Sequence, residues 1–126
     1  MSLKVLLVED DFVNRRVIAE ALELEGFDVQ AAEDGDVALA AIERQVPELV
    51  VMDWRMPGLD GADLVRELRA RLKVPIIVVS AFAMASHRAR ILASGCDAYL
   101  PKPFSVDELA SVIRRVAGLE APPRSP

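Results

Sequence analysis

The sequence predicts an α/β domain, a doubly wound (βα)₅ fold on a five-stranded parallel sheet, and three observations carry that prediction. Short apolar runs alternate with longer segments of helical period five times along the chain. Three of the runs, residues 5–8, 49–52 and 76–79, are apolar at every position, as expected of parallel strands covered on both faces. The other two, residues 29–32 and 98–100, are shorter or more polar, which places them at the sheet edges. Right-handed crossovers then put helices on both faces. A strand order of 2-1-3-4-5 is one of the two common arrangements for such a sheet, and ligands bind beyond the carboxyl ends of its strands, where strands one and three diverge.

Each element has its own support. The first helix opens at Asp11 or Phe12, carries one apolar stripe of Val13, Val17, Ala21 and Leu24 with Ile18 and Leu22, and is closed by Gly26. Val37, Ala41 and Ile42 mark the second helix, and Leu64, Val65, Leu68 and Leu72 the third. Pro47 and Pro75 stand just before strands three and four, where no ladder donor is needed yet. Residues 83–94, rich in Ala and Arg and weakly amphipathic, are expected to form the fourth and least stable helix. The fifth has the clearest stripe (Val106, Leu109, Ala110, Ile113, Val116 and Ala117), and Ser105 with Glu108 reads as its capping box. After Gly118 the Pro-rich residues 119–126 cannot extend that helix and read as a tail or the remnant of a linker, which bounds the domain at residues 3–118.

Composition narrows the function. A chain of 126 residues fits one core, and a hydrophobic content of 52% with only 5% aromatic residues makes that core aliphatic. A net charge of −5 argues against nucleic acid or an anionic membrane as the main partner. Cys96 stands alone, which rules out a disulfide framework within the chain and reads as a small buried thiol. The apolar start is broken at once by Glu9, Asp10 and Asp11, unlike a secretory signal, and no run approaches the roughly 20 apolar residues of a membrane helix. A cytoplasmic location is the default expectation.

The chemistry gathers at the strand ends. Strand one is followed by Glu9, Asp10 and Asp11, and strand three by Asp53. Such carboxylates repel one another unless a cation or protons intervene, and hard oxygen ligands with room for water and phosphate describe a Mg²⁺ site. Asp11 by itself reads as the cap of the first helix. Ser80 ends strand four, and Lys102-Pro103 follows strand five. Acids for a metal, a carboxylate nucleophile, a hydroxyl donor and a fixed ammonium are the parts that phosphoryl transfer calls for.

Four segments, each at the end of its strand, carry a resemblance: Val5-Leu6-Leu7-Val8-Glu9-Asp10, Met52-Asp53-Trp54-Arg55-Met56-Pro57-Gly58-Leu59-Asp60-Gly61, Val79-Ser80-Ala81 and Tyr99-Leu100-Pro101-Lys102-Pro103-Phe104. In that order they resemble the receiver domain of two-component response regulators, a flavodoxin-like fold, over residues 3–118. The resemblance implies that Asp53 accepts a phosphoryl group from a phosphohistidine. Glu9 and Asp10 would order Mg²⁺, with Asp53 and the backbone carbonyl of Arg55 as further ligands. Ser80 would hydrogen-bond the phosphoryl group, Lys102 would pair with one of its oxygens, and Tyr99 would be the aromatic rotamer switch. It further implies a cis peptide between Lys102 and Pro103. Glu9 stands where the family more often has Asp, a change expected to leave metal binding intact. Arg55 and Phe82 occupy positions that tune dephosphorylation in the family, and a bulky Phe82 is expected to shield the acyl phosphate from water.

The implied output is a changed surface on the fourth helix, fifth strand and fifth helix. Since no output domain follows in the sequence, the expected partners are a sensor histidine kinase or phosphotransfer protein and a downstream protein target, with no direct nucleic-acid contact and either a monomer or a phosphorylation-dependent dimer. The domain is expected to promote only its own phosphotransfer and autodephosphorylation, and is not an enzyme in the turnover sense. Single-domain receivers of the DivK type and receivers of hybrid histidine kinases are both similar to this chain. Three rivals share the sheet. A flavin or small-ligand carrier would place Gly, Ser or Thr after strand one to cradle phosphate. A phosphorylation-independent module would lack the acceptor or the Lys. An Asp-nucleophile hydrolase would need a second carboxylate where this chain has Arg55.

Overall fold

A computed structural model describes residues 2–55, 60–81 and 85–119. Along the chain run β1 (Lys4–Val8), α1 (Phe12–Leu24), β2 (Asp28–Ala32), α2 (Gly35–Arg44), β3 (Leu49–Asp53), α3 (Gly61–Arg71), β4 (Ile76–Ser80), α4 (Ala85–Ala93), β5 (Ala98–Pro101) and α5 (Val106–Val116). All strand pairings are parallel, and the sheet order is β2-β1-β3-β4-β5. β2 and β5 are the edges, as their polarity and length predict. Met56 to Leu59 of the second segment above, Phe82, residues 83–84 at the expected start of α4 and residues 120–126 of the tail lie outside the described residues.

The alternation of strand side chains divides the core in two. Leu6, Val8, Val50, Met52, Ile76 and Val78 face α2, α3 and α4, while Val5, Leu7, Leu49, Val51, Ile77 and Val79 face α1 and α5. Both faces of the central strands are therefore dry, which is why those strands read as unbroken apolar runs. Burial of each such aliphatic side chain contributes about 1.5–3 kcal/mol. Parity reaches into the loops: Glu9, Asp53 and Lys102 continue the α1/α5 face, whereas Ser80 and Tyr99 continue the face under α4.

The helices start where their caps stand. Asp11, Asp34 and Asp60 each accept a backbone N–H in the first turn of α1, α2 and α3, and Ser105 and Glu108 form the capping box of α5. Gly26 ends α1 at φ +97°, a left-handed conformation that glycine adopts without a Cβ penalty. α4 buries only Ile91. Among the described residues no helix is long and apolar enough to cross a membrane.

One expectation is corrected. The stripe of Val13, Val17, Ala21 and Leu24 does not face the sheet: Val13, Val17 and Leu24 are exposed, and α1 packs through Leu22, with Ile18 and Ala19 partly covered. The helix has apolar residues on two adjacent faces, and periodicity cannot choose between them. Val37 of α2 likewise turns outward, leaving Ala38, Ala41 and Ile42 in the core.

Two contacts tie the sheet to α3. A Cβ on Gly61 would lie 2.5 Å from the Trp54 carbonyl oxygen and 2.7 Å from its ring, so only glycine lets the helix start against that indole. At the other end, Arg69 donates to the carbonyls of Val74 and Gly95 and pairs with Asp97, whose carboxylate also accepts from the Ile76 amide at 2.7 Å. These contacts fix the start of β4 to the turn before β5.

Candidate functional site

The site lies where β1 and β3 diverge. Glu9 continues β1 by one residue, its amide donating to the Ala32 carbonyl at 3.0 Å, and its side chain is carried into the molecule. It is only 2% exposed, and Asp53, the last residue of β3, is 8% exposed. Asp10 is exposed, yet it offers an oxygen to the same place: one carboxylate oxygen from each of Glu9, Asp10 and Asp53 lies within 4.8 Å of the others. Asp11, by contrast, turns away to accept from the Asn14 amide at 2.9 Å and caps α1, while its own amide donates to Glu9 Oε2 at 3.4 Å.

Lys102 reaches this cluster from β5. Its Nζ is 2.6 Å from Asp53 Oδ2 and 3.3 Å from Glu9 Oε1, so one ammonium bridges the two buried carboxylates. The backbone aims it: the Lys102 amide donates to the Ser80 carbonyl at 2.8 Å, and the Lys102–Pro103 peptide is cis. The remaining Asp53 oxygen accepts from the Arg55 amide at 3.1 Å. Ser80 is buried at the end of β4, one residue beyond the Val79 that pairs with Asp53. Tyr99 is half-buried on β5 and packs toward the core under α4.

The electrostatics follow from this packing. Burial, and then the charge of Asp53, push the Glu9 carboxyl up to about 7 against the opposing pull of Lys102. For Lys102, burial disfavours the ammonium, but its hydrogen bond and ion pair with Asp53, and then Glu9, outweigh that and raise it above its ordinary value. Once Glu9 is ionised, two buried acids and one amine hold more negative than positive charge, and the carboxylate oxygens of Glu9, Asp10 and Asp53 face one another within 4.8 Å. The donor set fits a divalent cation of the Mg²⁺ type.

The sequence-predicted residues therefore meet: Glu9, Asp10, Asp53 and Lys102 in direct contact range, with Arg55 and Ser80 on adjoining backbone. Tyr99 stands apart, on the opposite face of the sheet. Sequence reasoning missed Arg15, whose Nη1 donates to the Glu9 carbonyl at 2.9 Å and the Asp10 carbonyl at 3.3 Å. Its only signal was a cation one turn beyond three consecutive acids.

Comparison with known proteins agrees with this geometry. The family model for the response regulator receiver domain matches residues 5–114. The chain is 42% identical over 113 residues to a probable transcriptional regulator ycf27 of Porphyridium aerugineum, covering 90% of this chain and 47% of that protein. It is 37% identical over 127 residues to the response regulator MprA of a Mycobacterium species, covering all of this chain and 55% of that protein. The chain thus spans about half the length of these curated relatives. Among solved structures, the receiver domain of the Francisella response regulator 1452 superposes with a TM-score of 0.86 at 36% identity, covering 93% of this chain and 98% of that one. The receiver domain of the sensor histidine kinase PA1611 from Pseudomonas aeruginosa, described with a magnesium ion coordinated in its active site cleft, gives 0.85 at 39% identity and covers 94% and 99%. With its acids and lysine gathered at the switch point of this sheet, and the match running through all five strands, the chain belongs to the response regulator receiver domain family.

Proposed function

We propose that Asp53 is the phosphoryl acceptor of this domain, that a phosphohistidine on a kinase or phosphotransfer protein is its donor, and that Ser80 and Tyr99 pass the change to the surface of α4, β5 and α5. The reading is carried by Lys102, whose ammonium lies 2.6 Å from a buried carboxylate that shares its site with two more acids. In the transfer, an Asp53 oxygen forms the new P–O bond as the P–N bond to imidazole breaks, and the ring nitrogen leaves with the bonding pair. Lys102 balances negative charge on the phosphoryl oxygens. Glu9, Asp10, Asp53 and the Arg55 carbonyl are the groups that would hold Mg²⁺, as the PA1611 receiver holds its magnesium in the active site cleft. Bound there, the cation supplies further neutralisation of phosphoryl charge.

A protein donor fits the surface beside the site. Val13, Val17 and Leu24 expose an apolar stripe along α1, and Phe12 is exposed at the start of that helix, next to the acidic cluster. Such a face suits a partner helix bringing its phosphohistidine over the strand ends. After transfer the added charge, between about −1.5 and −2, draws the Ser80 hydroxyl toward Asp53 and moves the loop after β4. Tyr99 then follows into the space vacated, and α4, anchored by Ile91, shifts with it. The output on this reading is a protein contact, in the cytoplasm, and the domain turns over no substrate other than its own phosphoryl group.

The test is transfer of ³²P from a phosphorylated phosphotransfer protein with Mg²⁺ or with EDTA. Label is expected with the metal alone. Ser80→Ala is expected to accept label but to lose the phosphorylation-dependent change in hydrogen exchange over α4, β5 and α5. Labelling in EDTA, or an unaltered exchange response in Ser80→Ala, defeats the corresponding part of the reading.

The cation also makes a prediction with a definite sign. In metal-free protein the folded state keeps a proton on Glu9 between its ordinary 4.5 and about 7, where the unfolded chain has lost it. That contribution to stability is therefore present below this window and is lost as pH rises through it. Mg²⁺ must displace the proton, so its increment in melting temperature is expected to be several degrees larger at about pH 8 than at about pH 5.5. An increment independent of pH removes Glu9 from the cation site.

A further inference from the structure

We propose that Arg15 is a positioning residue for the cation site, holding the turn between β1 and α1 in the shape that converges Glu9 and Asp10 on Asp53. The inference rests on the reading of these three acids as a cation site. Arg15 lies in the first turn of α1, half-buried, and its side chain leans back toward the helix N-terminus as helical side chains do. There Nη1 takes both the Glu9 and the Asp10 carbonyl, at 2.9 and 3.3 Å. Two carbonyls held by one nitrogen fix the two peptide planes that follow Glu9 and Asp10, and those planes set where the two side chains point. The guanidinium is itself held from one side, its carbon 5.6 Å from the centroid of the Phe12 ring.

The turn needs such a clamp. It contains three consecutive acids, two of which are brought within 4.8 Å of Asp53 and repel it and each other. Relaxation by opening the turn costs little in a loop and destroys the convergence. A guanidinium behind the turn opposes that opening twice, by its hydrogen bonds and by its charge, without entering the site. Its planar fork and constant charge suit the task better than an ammonium would. The Phe12 ring that steadies Arg15 is 63% exposed.

The experiment compares the wild type with Arg15→Met, which keeps the stem, and Arg15→Lys, which keeps a charge and one donor group. Arg16→Ala is the control, since Arg16 points to solvent and pairs with Glu20 at 3.2 Å. The quantity read is the dissociation constant for Mg²⁺, from the rise of melting temperature with Mg²⁺ concentration. Fluorescence of Trp54, the single tryptophan, buried beside Asp53, reads it independently. Arg15→Met is expected to weaken Mg²⁺ binding about tenfold, as loss of an outer-shell partner does, with Arg15→Lys between it and the wild type and Arg16→Ala unchanged. If Arg15→Met does not fold, the shift in Arg15→Lys carries the comparison. A lower melting temperature at every Mg²⁺ concentration with an unaltered dissociation constant assigns Arg15 a structural part only and overturns the inference. A wild type that does not respond to Mg²⁺ overturns the cation-site reading itself, and the inference with it.

Discussion

Asp53→Asn is expected to remove all phosphoryl labelling of this domain, from acetyl phosphate and from a phosphohistidine donor alike. The amide keeps the shape of the side chain and loses its nucleophile, since an amide oxygen does not form a stable bond to phosphorus at neutral pH. No other acid can take over. Glu9 is 2% exposed with Lys102 and the Asp11 amide on its two oxygens, and the ammonium pairs with Glu9 and Asp53. The check is acid-quenched ³²P incorporation with hydroxylamine sensitivity, alongside circular dichroism to verify the fold. Label that persists in Asp53→Asn moves the acceptor elsewhere.

Lys102→Ala should have the largest effect on stability. Its Nζ lies between carboxylates whose side chains are 3% and 11% exposed, and it is the cation that both contact. Removing one partner of a buried ion set costs about 3–5 kcal/mol, because the charges left behind are neither solvated nor paired. Lys102 is itself 23% exposed, so water replaces part of what is lost, and a decrease of about 2–3 kcal/mol in metal-free protein near neutral pH is expected. Two conditions should recover it: lower pH, which protonates Glu9, and Mg²⁺, which supplies the missing charge. Phosphoryl transfer should fall by about 10²-fold even with the metal present, as when one donor to a developing oxyanion is deleted. Urea denaturation across pH, with and without Mg²⁺, measures the first effect, and single-turnover labelling the second. A midpoint that ignores both pH and metal shows that the ammonium does not balance these acids.

Both predictions concern residues legible before any coordinates. Asp53 and Lys102 each follow an apolar run, and a parallel sheet brings the carboxyl ends of such runs to one edge whatever lies between them. The same logic located Glu9, Asp10 and Ser80. What it did not show is which face of the sheet each side chain joins. Glu9, Asp53 and Lys102 continue the face toward α1 and α5, whereas Tyr99 packs toward the core under α4. On the proposed reading, a signal from Asp53 to Tyr99 would pass around the end of β4 through Ser80, a placement visible only once the registers Asp53 to Val79 and Val78 to Tyr99 are known.

Helix α1 marks the limit of periodicity most plainly. Val13, Val17 and Leu24 repeat at helical spacing as well as any core stripe, yet they face solvent while Leu22 alone is fully buried. An apolar stripe says that a face is to be covered, not by what. α5 left no such choice, because its apolar residues form one face and its charges the other, and Leu109, Ala110 and Ile113 are buried as their spacing implies.

By itself, then, the sequence determined the order of elements, the buried central strands, the caps and the polar side chains gathered at the strand ends, since these depend on local spacing and on the alternation of polar and apolar residues. Only the tertiary structure decided which face of α1 is left open, that one lysine is shared between Glu9 and Asp53, and that Arg15 grips the turn carrying two of the acids. Those three depend on distances between segments far apart in the chain or on how a side chain folds back over its own turn, and no local pattern encodes them.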